Sequence, residues 1–361
     1  MDGNTVEGYN CCLHKCNLCV RKAVSLNEFV QTMFKEISSF ASQSNKVIAL
    51  SKLHREKKSK LQKEQHTRFS SSFLMLYSVL VAYKREVFDD DYNNAFPYKI
   101  KVVEDYIKIL LPLYTFSADL QSNTAHIGLV VPAVLSLIYE NLDRMKLSCE
   151  NQNQFRDDLI FLLKMKFEHE LNSKEYLVAA VLNVGFLKFW SQRSFCLKTY
   201  HLVLDSILEI VKKYSRSDSE FETTQGRLTK TDKVVSFSSK NGSSDGMNSL
   251  RNLTRPRLNS ESDDLAKQTK NKIFDDEVKK FVNIINNTEF DSTKSFWLSH
   301  EKSLPNLFNL ALRLLSIPAS SAQIERYFSI TGQINTKQAN SMSAELLETR
   351  SILKANMHLL D

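Results

Sequence analysis

Apolar residues recur at helical spacing along most of this chain, and this periodicity limits its possible folds more than any other feature. The first amphipathic stretch covers residues 26–40, where the apolar positions follow the spacing of one helix face. Only 8 glycines and 6 prolines occur in 361 residues, so few positions favour turns or interrupt a helix. The sequence therefore predicts a mainly α fold.

Further apolar stripes follow between residues 67 and 213 and are joined by short polar stretches. Successive stripes of this kind are typical of a helical bundle. They comprise Ile100, Val103, Ile107 and Leu110, then Val131, Val134, Leu135 and Ile138, then Phe155, Leu159 and Leu162, and finally Leu202, Val203 and Ile207. From the polar start and the lack of a long apolar run, we expect an intracellular protein with reduced cysteines.

Four of the six cysteines lie in residues 11–19, which read CCLHKCNLC. Two pairs of potential ligands in this segment have the spacing of zinc sites, but a single residue separates the pairs. The alternative is a helix, because Cys12, Cys16 and Cys19 would share one face and buried cysteine behaves as a small hydrophobe. We favour the helix and expect no bound metal.

Two segments differ from the rest in composition. Residues 214–275 are rich in serine, asparagine, threonine, aspartate and lysine and show little apolar periodicity, so we expect a disordered linker there. Residues 46–68 contain eight lysines and arginines but only two glutamates, in a chain of net charge +7. This basic segment is either a solvated helix face or a patch that binds a phosphate backbone.

The densest pattern lies near the C-terminus. Residues 317–334 read IPASSAQIERYFSITGQI, and they follow Trp297 and the leucine-rich residues 304–315. This order resembles the C-terminal signature of hAT family transposases, in which a tryptophan and an apolar helix precede I-P-x-S-S-A-x-x-E-R-x-F-S-x-x-G-x-I. Pro318 ends the apolar stretch, and the S-x-x-Q spacing from Ser320 predicts the start of a new helix.

The resemblance implies that residues 276–361 form a helical dimerisation region. In the family, this region contributes to self-association and also completes the core of the protein. The residues to which we assign the dimerisation role are Trp297, Leu307, Leu314, Ile317, Pro318, Ser321, Phe328 and Leu353. We expect the partner to be a second copy of the chain or a related transposase-derived protein, and we expect no membrane association.

Two weaker elements extend the resemblance toward the N-terminus. Cys11 and His14 are similar to the family's C-x-x-H element, which follows part of an RNase H-like core. Residues 67–76, TRFSSSFLML, are similar to the element that opens the family's helical insertion domain, with phenylalanine in place of tryptophan. Because an aromatic ring can stack on a base, we assign candidate DNA contacts to this ring and the basic segment. They are Lys57, Lys58, Lys60, Arg68 and Phe69.

Catalysis in the family depends on two aspartates and a glutamate that hold two divalent metals. Glu325 matches the glutamate, but no residue of this sequence matches either aspartate, and the family's BED-type zinc finger has no counterpart. One carboxylate cannot hold a two-metal site, so we expect Glu325 to be inactive and the chain to be neither an enzyme nor cofactor-dependent. A domesticated protein and a truncated gene product both fit this pattern.

These expectations divide the chain into a residual RNase H-like segment (1–40), a helical insertion domain (41–213), the linker (214–275) and the dimerisation region (276–361). The leading hypothesis is a non-catalytic, transposase-derived protein that dimerises through its C-terminal region. The alternatives are a DNA-binding accessory or regulator that uses the basic segment, and a residual metal-dependent transposase or nuclease. The resemblance also leads us to expect a nuclear protein.

Overall fold

The computed structural model describes residues 11–44, 46, 56, 60–65, 69–87, 96, 98–147, 149–186, 260–287, 290, 292–335 and 342–357. Most of these residues are helical, and within these ranges there is no strand, only an isolated bridge between His126 and Pro318. The predicted mainly α fold class is therefore confirmed. No helix in the same ranges combines the length and the apolar character that spanning a membrane requires.

The α-helices of the described ranges are α1 (Cys12–Leu26), α2 (Glu28–Ser44), α3 (Phe69–Lys84), α4 (Ile100–Leu120), α5 (Val130–Ser136), α6 (Glu150–Lys166), α7 (Glu168–Asn172), α8 (Lys174–Leu182), α9 (Ser260–Asn287), α10 (Thr293–His300), α11 (Pro305–Leu315), α12 (Ala322–Ile334) and α13 (Ala344–Ala355). They belong to two compact units. The first comprises Met1–Ala180 and Leu314–Asp361, and the second comprises Val181–Arg313.

The first unit is built around α1, which packs against α2, α3, α4 and α6. Cys12, Cys16 and Cys19 lie on the buried face of α1, which confirms the helical interpretation of the cysteine segment. The apolar stripe of α2 also faces the core. Leu26 and Phe29, the first two residues of that predicted stripe, are instead exposed, because α1 ends at Leu26 and α2 begins as a separate helix.

The second unit has an aromatic core between α9 and α10. The Trp297 ring stacks on Phe281, with ring centroids 5.6 Å apart, and meets Phe296 edge to face at 4.9 Å. Glu277 in α9 caps the start of α11, because its Oε2 accepts hydrogen bonds at 3.1 Å from the backbone N–H groups of Asn306 and of the next residue. These N–H groups have no partner within their own helix, so the carboxylate stabilises the N-terminus of α11.

The boundary between the units differs from the predicted segments. The predicted dimerisation region (276–361) contributes to both units, because residues 314–361 pack with residues 1–180. Leu314 at the end of α11 is buried, as are Ala319, Ser320 and Ala322 at the start of the signature that follows it. The backbone of this part of the signature is bonded to segments that come much earlier in the chain. Sequence proximity therefore does not define the compact units here.

The end of the predicted linker (214–275) is wrong, because α9 begins at Ser260. The sequence of α9 contains no glycine or proline, so no residue in it disfavours a continuous helix strongly. Residues 187–259 lie outside the described ranges, so the rest of the predicted linker stays a prediction. The described part of residues 1–40 is helical, and the RNase H-like assignment of that segment stays a prediction as well.

Gly128 lies at a close approach of chain segments in the first unit. A Cβ added there would be 2.5 Å from the Ala179 carbonyl oxygen and 2.9 Å from Cδ2 of Leu315. We expect Gly128→Ala to lower the free energy of unfolding by about 1–3 kcal/mol, because its neighbours must move to admit the methyl group. Gly332 is the matched control, since a Cβ there meets no atom within 4 Å and the residue lies inside α12.

Gly332→Ala should instead raise the free energy of unfolding by about 0.5–1 kcal/mol, because alanine loses less backbone entropy than glycine in a helix. Urea unfolding of both variants measures the two signs. A neutral or stabilising Gly128→Ala would contradict the close packing that the structure shows at this position.

Candidate functional site

A pocket of about 130 Å³ lies in the first unit, where segments that are far apart in sequence meet. Its walls come from α1, from the start of α3, from the end of α4 and from the first turn of α12. The lining residues are Leu13, His14, Asn17, Phe69, Ser70, Ser117, Gln121 and Glu325. The pocket thus brings together the cysteine segment, the TRFSSSFLML segment and the C-terminal signature.

Glu325 is the acidic residue of this pocket, and Ser321 contacts its carboxylate. The Ser321 hydroxyl donates to Oε1 of Glu325 at 2.8 Å, and Oγ of Ser321 lies 3.3 Å from Sγ of Cys11. Glu325 lies in the first turn of α12, where the helix dipole favours a negative charge. Among the described residues, no group of three or more histidines, cysteines or carboxylates is placed to hold a metal ion.

Phe69 forms a wall of the pocket and belongs to the core. Its backbone N–H donates to Oδ1 of Asn17 at 2.9 Å, which attaches the start of α3 to α1. The side chain is 4% exposed, so its predicted role as a base-stacking ring is wrong, because a buried ring offers no open face. The other predicted DNA contacts are the exposed Lys60 and three residues outside the described ranges, Lys57, Lys58 and Arg68.

Residues 317–321, which we call the strap, connect α11 to α12 and bind other parts of the first unit. Ala319 donates its N–H to the Ala125 carbonyl at 3.2 Å, and its own carbonyl accepts the N–H of Cys12 at 3.2 Å. The Ser320 hydroxyl donates to the Leu120 carbonyl at 2.6 Å. The I-P-x-S-S part of the signature therefore fastens α12 to α1 and to the end of α4.

Arg326, which follows Glu325 in the signature, adds to this attachment. Its guanidinium donates to the Gln121 carbonyl at 2.8 Å and to Oδ1 of Asn123 at 2.6 Å. The amide of Gln323 donates to the Asn123 carbonyl at 2.9 Å. The side chains of Ser320, Gln323 and Arg326 thus bind backbone carbonyl groups at the C-terminus of α4 or just after it. Carbonyl groups at the end of a helix have no partner within that helix.

His126 forms the isolated bridge with Pro318 of the strap. Its Nδ1 is buried without a hydrogen-bond partner among the described residues, and burial lowers the pKa of His126 below its usual value of 6.5. The folded chain therefore binds this proton less readily than the unfolded chain. The stability that neutral His126 contributes is present above about pH 6.5 and is lost as the pH falls below that value.

We accordingly expect the melting temperature of the wild-type chain to fall as the pH is lowered from about 7 to about 5, and to fall less in His126→Gln, which cannot be protonated. Thermal unfolding monitored by circular dichroism at several pH values measures this difference. An equal decline in the two proteins would show that His126 does not contribute to the pH dependence.

The three buried cysteines of α1 are neutral thiols. Burial raises the pKa of Cys12, Cys16 and Cys19 to about 12 in each case. A metal binds the thiolate form, which this apolar environment disfavours. Burial thus supports the expectation that the segment binds no zinc, which stays a prediction that metal analysis of the purified protein tests.

Helices α12 and α13 pack against each other, and some of their apolar side chains are exposed to solvent. Ile324 and Phe328 are one turn apart in α12, and Leu346, Leu353 and Met357 follow the spacing of one side of α13. Phe328 is 66% exposed. We use the name hairpin face for the exposed apolar residues of α12, of α13 and of the turn after α13. They are Ile324, Phe328, Leu346, Ile352, Leu353 and Met357.

A comparison with protein-family models identifies this part of the chain. Residues 266–357 match the model described as the hAT family C-terminal dimerisation region. The chain carries a hAT family dimerisation region. The resemblance to hAT transposases that the C-terminal signature predicts is thereby confirmed, whereas no curated protein matches the chain.

Three of the predicted dimerisation residues of the hAT region lie in the core of the chain. Trp297, Leu307 and Leu314 are each at most 4% exposed, and the indole N–H of Trp297 donates to the Leu182 carbonyl at 2.9 Å. Their assignment to an interface is wrong. Periodicity shows that a helix side avoids water, but it does not show whether that side packs within the chain or against a partner.

The remaining predicted residues of the hAT region lie nearer the surface. Ile317, Pro318 and Ser321 belong to the strap, whose observed hydrogen bonds are made within the chain. Phe328 and Leu353 lie on the hairpin face, where a partner can reach them. Sequence reasoning did not assign the other members of this face to an interface, and the signal that identifies them is exposure: Ile324, Leu346, Ile352 and Met357.

Proposed function

We propose that this chain is a non-catalytic, hAT-transposase-derived protein that associates with a second copy of itself through the hairpin face. The observation that carries the proposal is the group of apolar side chains that α12 and α13 expose to solvent, within the segment that matches the hAT family dimerisation region. Leaving such a cluster in water is unfavourable, and a partner surface removes it from water. A related transposase-derived protein with the same face fits equally well.

Sedimentation of the full chain across a dilution series tests this proposal. We expect Phe328→Glu to weaken self-association by more than about tenfold, because the partner surface must then desolvate a charge. The melting temperature at low protein concentration should stay unchanged, since Phe328 is 66% exposed in the single chain. A wild-type chain that remains monomeric at high micromolar concentration would contradict the proposal.

Phe161→Glu is the matched control. Phe161 is 61% exposed on α6 and lies outside the hAT region, so its substitution introduces the same charge on another apolar surface residue. We expect this variant to associate as the wild type does. If Phe161→Glu weakens association as much as Phe328→Glu, the effect comes from net charge and not from the hairpin face.

The non-catalytic part of the proposal rests on the carboxylates. Glu325 is the residue that matches the family triad, and its Oε1 accepts the hydrogen bond of Ser321. The two aspartates have no match in the sequence, and a two-metal mechanism needs several carboxylates around its metals. We expect purified protein not to nick supercoiled plasmid with Mg²⁺ or Mn²⁺. Nicking that disappears in Glu325→Gln would instead establish a residual nuclease.

A DNA-binding accessory is the second candidate function. It is supported by the net charge of +7, by the basic residues 46–68 and by the exposure of Lys60, and it agrees with the expected nuclear location. Affinity for duplex DNA that falls steeply with added salt would support this function. No measurable binding at low salt would exclude it.

A further inference from the structure

Helix α3 contains no charged residue before Lys84, yet one of its sides is open to solvent. Lys84, at its end, is the only charged residue of the helix, and Leu74 and Tyr77 are 38% and 49% exposed. A helix without a charged side is typical of a buried position. The exposed side of α6, by contrast, carries charges such as Asp157 and Lys164 beside its exposed apolar residues Phe161 and Met165. The open side of α3 has the character of a surface that is covered in an assembly.

This open side continues onto α4. The rings of Phe73 and Tyr114 stack with centroids 4.4 Å apart, and Nζ of Lys84 lies 3.4 Å from Oε1 of Glu104. Residue numbers therefore rise along α3 while they fall along α4, so the two helices are antiparallel. Leu111, which is 47% exposed, lies between these two contacts and is seven residues from Glu104, which puts both on the same side of α4.

We call this surface the α3–α4 face and define it by Leu74, Tyr77, Val81, Leu111 and Tyr114. The lysines around it are balanced by carboxylates. Lys84 pairs with Glu104, and both Lys101 and Lys108 lie within 3.7 Å of Oδ1 of Asp105. A face without excess positive charge does not attract a phosphate backbone, so the fitting occupant is an apolar protein surface.

The α3–α4 face and the hairpin face border the same pocket. Ser70 and Ser117, one turn beyond the α3–α4 face, line the pocket together with Glu325. Phe328 of the hairpin face follows Glu325 by three residues, which is the spacing of neighbours on one helix side. We infer that the second copy of the chain that binds the hairpin face also covers the α3–α4 face. This inference rests on the proposed self-association.

Leu111→Glu and Tyr77→Glu test the inference in the full chain, with Phe161→Glu as the matched control and Phe328→Glu as the probe of the hairpin face. Sedimentation measures self-association, and thermal unfolding at low concentration measures the stability of the single chain. We expect each α3–α4 variant to weaken self-association by more than about tenfold at an unchanged melting temperature, because a charge then faces an apolar partner surface.

The other outcomes distinguish the inference from the proposed function. If Leu111→Glu and Tyr77→Glu associate normally while Phe328→Glu does not, the inference is overturned and the proposed function stands. If none of the three variants affects association, both fail. A lower melting temperature at low concentration would show that the α3–α4 face is covered within the chain, which also overturns the inference.

Discussion

Replacement of Lys15 by methionine is expected to lower the free energy of unfolding by about 3–5 kcal/mol, because it leaves a buried carboxylate without its partner. Nζ of Lys15 in α1 bonds Oε1 of Glu170 in α7, and the Glu170 side chain is fully buried. Its second oxygen, Oε2, has no hydrogen-bond partner among the described residues, so Lys15 supplies most of the compensation for this charge. Urea unfolding at neutral pH measures the loss.

Two controls separate the buried pair from surface ion pairs. The double variant Lys15→Met/Glu170→Met removes both charges and should recover most or all of the lost stability, because apolar residues of similar volume fill the site. Lys84→Met breaks an exposed pair with Glu104 and should cost no more than about 1 kcal/mol. A double variant as unstable as Lys15→Met would show that packing, and not the isolated charge, causes the loss.

Trp297→Ala is the other substitution with a large expected effect. We expect it to lower the free energy of unfolding by about 3–5 kcal/mol, because it leaves a cavity in the aromatic core of the second unit. Trp297 stacks on Phe281 and contacts Phe296, and its indole N–H donates to the Leu182 carbonyl. Denaturant unfolding followed by circular dichroism measures the loss.

The loss in Trp297→Ala should be the same at every protein concentration, because Trp297 stabilises the single chain and not its association. Trp297→Phe is the matched control, since it keeps a ring for the stack with Phe281 and removes the hydrogen bond. It should cost less than the alanine variant. If the destabilisation in Trp297→Ala disappears at high protein concentration, Trp297 contributes to the interface between copies of the chain.

The sequence alone did not distinguish the buried Trp297 from the exposed Phe328. Both are large aromatic residues of the same hAT signature, and both were assigned to dimerisation. The structure leaves Trp297 4% exposed and Phe328 66% exposed. Their local sequence patterns are equally helical and apolar, so the difference depends on which other helices are near each ring. That information lies in the packing of whole units and not in local spacing.

For α3, the sequence likewise predicted the helix but not which of its side chains are buried. Its apolar sequence predicted a helix, and the helix is present at Phe69–Lys84. The sequence also suggested that Phe69 is open to a base, whereas the ring is buried beside Asn17. A helix without charged residues along most of its length has no pattern that indicates which side is covered by its own chain.

The sequence by itself determined the mainly α class, the helix of the cysteine segment and the hAT region, because these depend on residue spacing within one turn or a few turns of a helix. Only the tertiary structure decided that His14, Phe69 and Glu325 meet around one pocket, that the strap binds α1 and α4, and that Phe328 is exposed. Those contacts join residues that are far apart in the chain, and they form because the whole unit buries apolar area and pairs its backbone groups together.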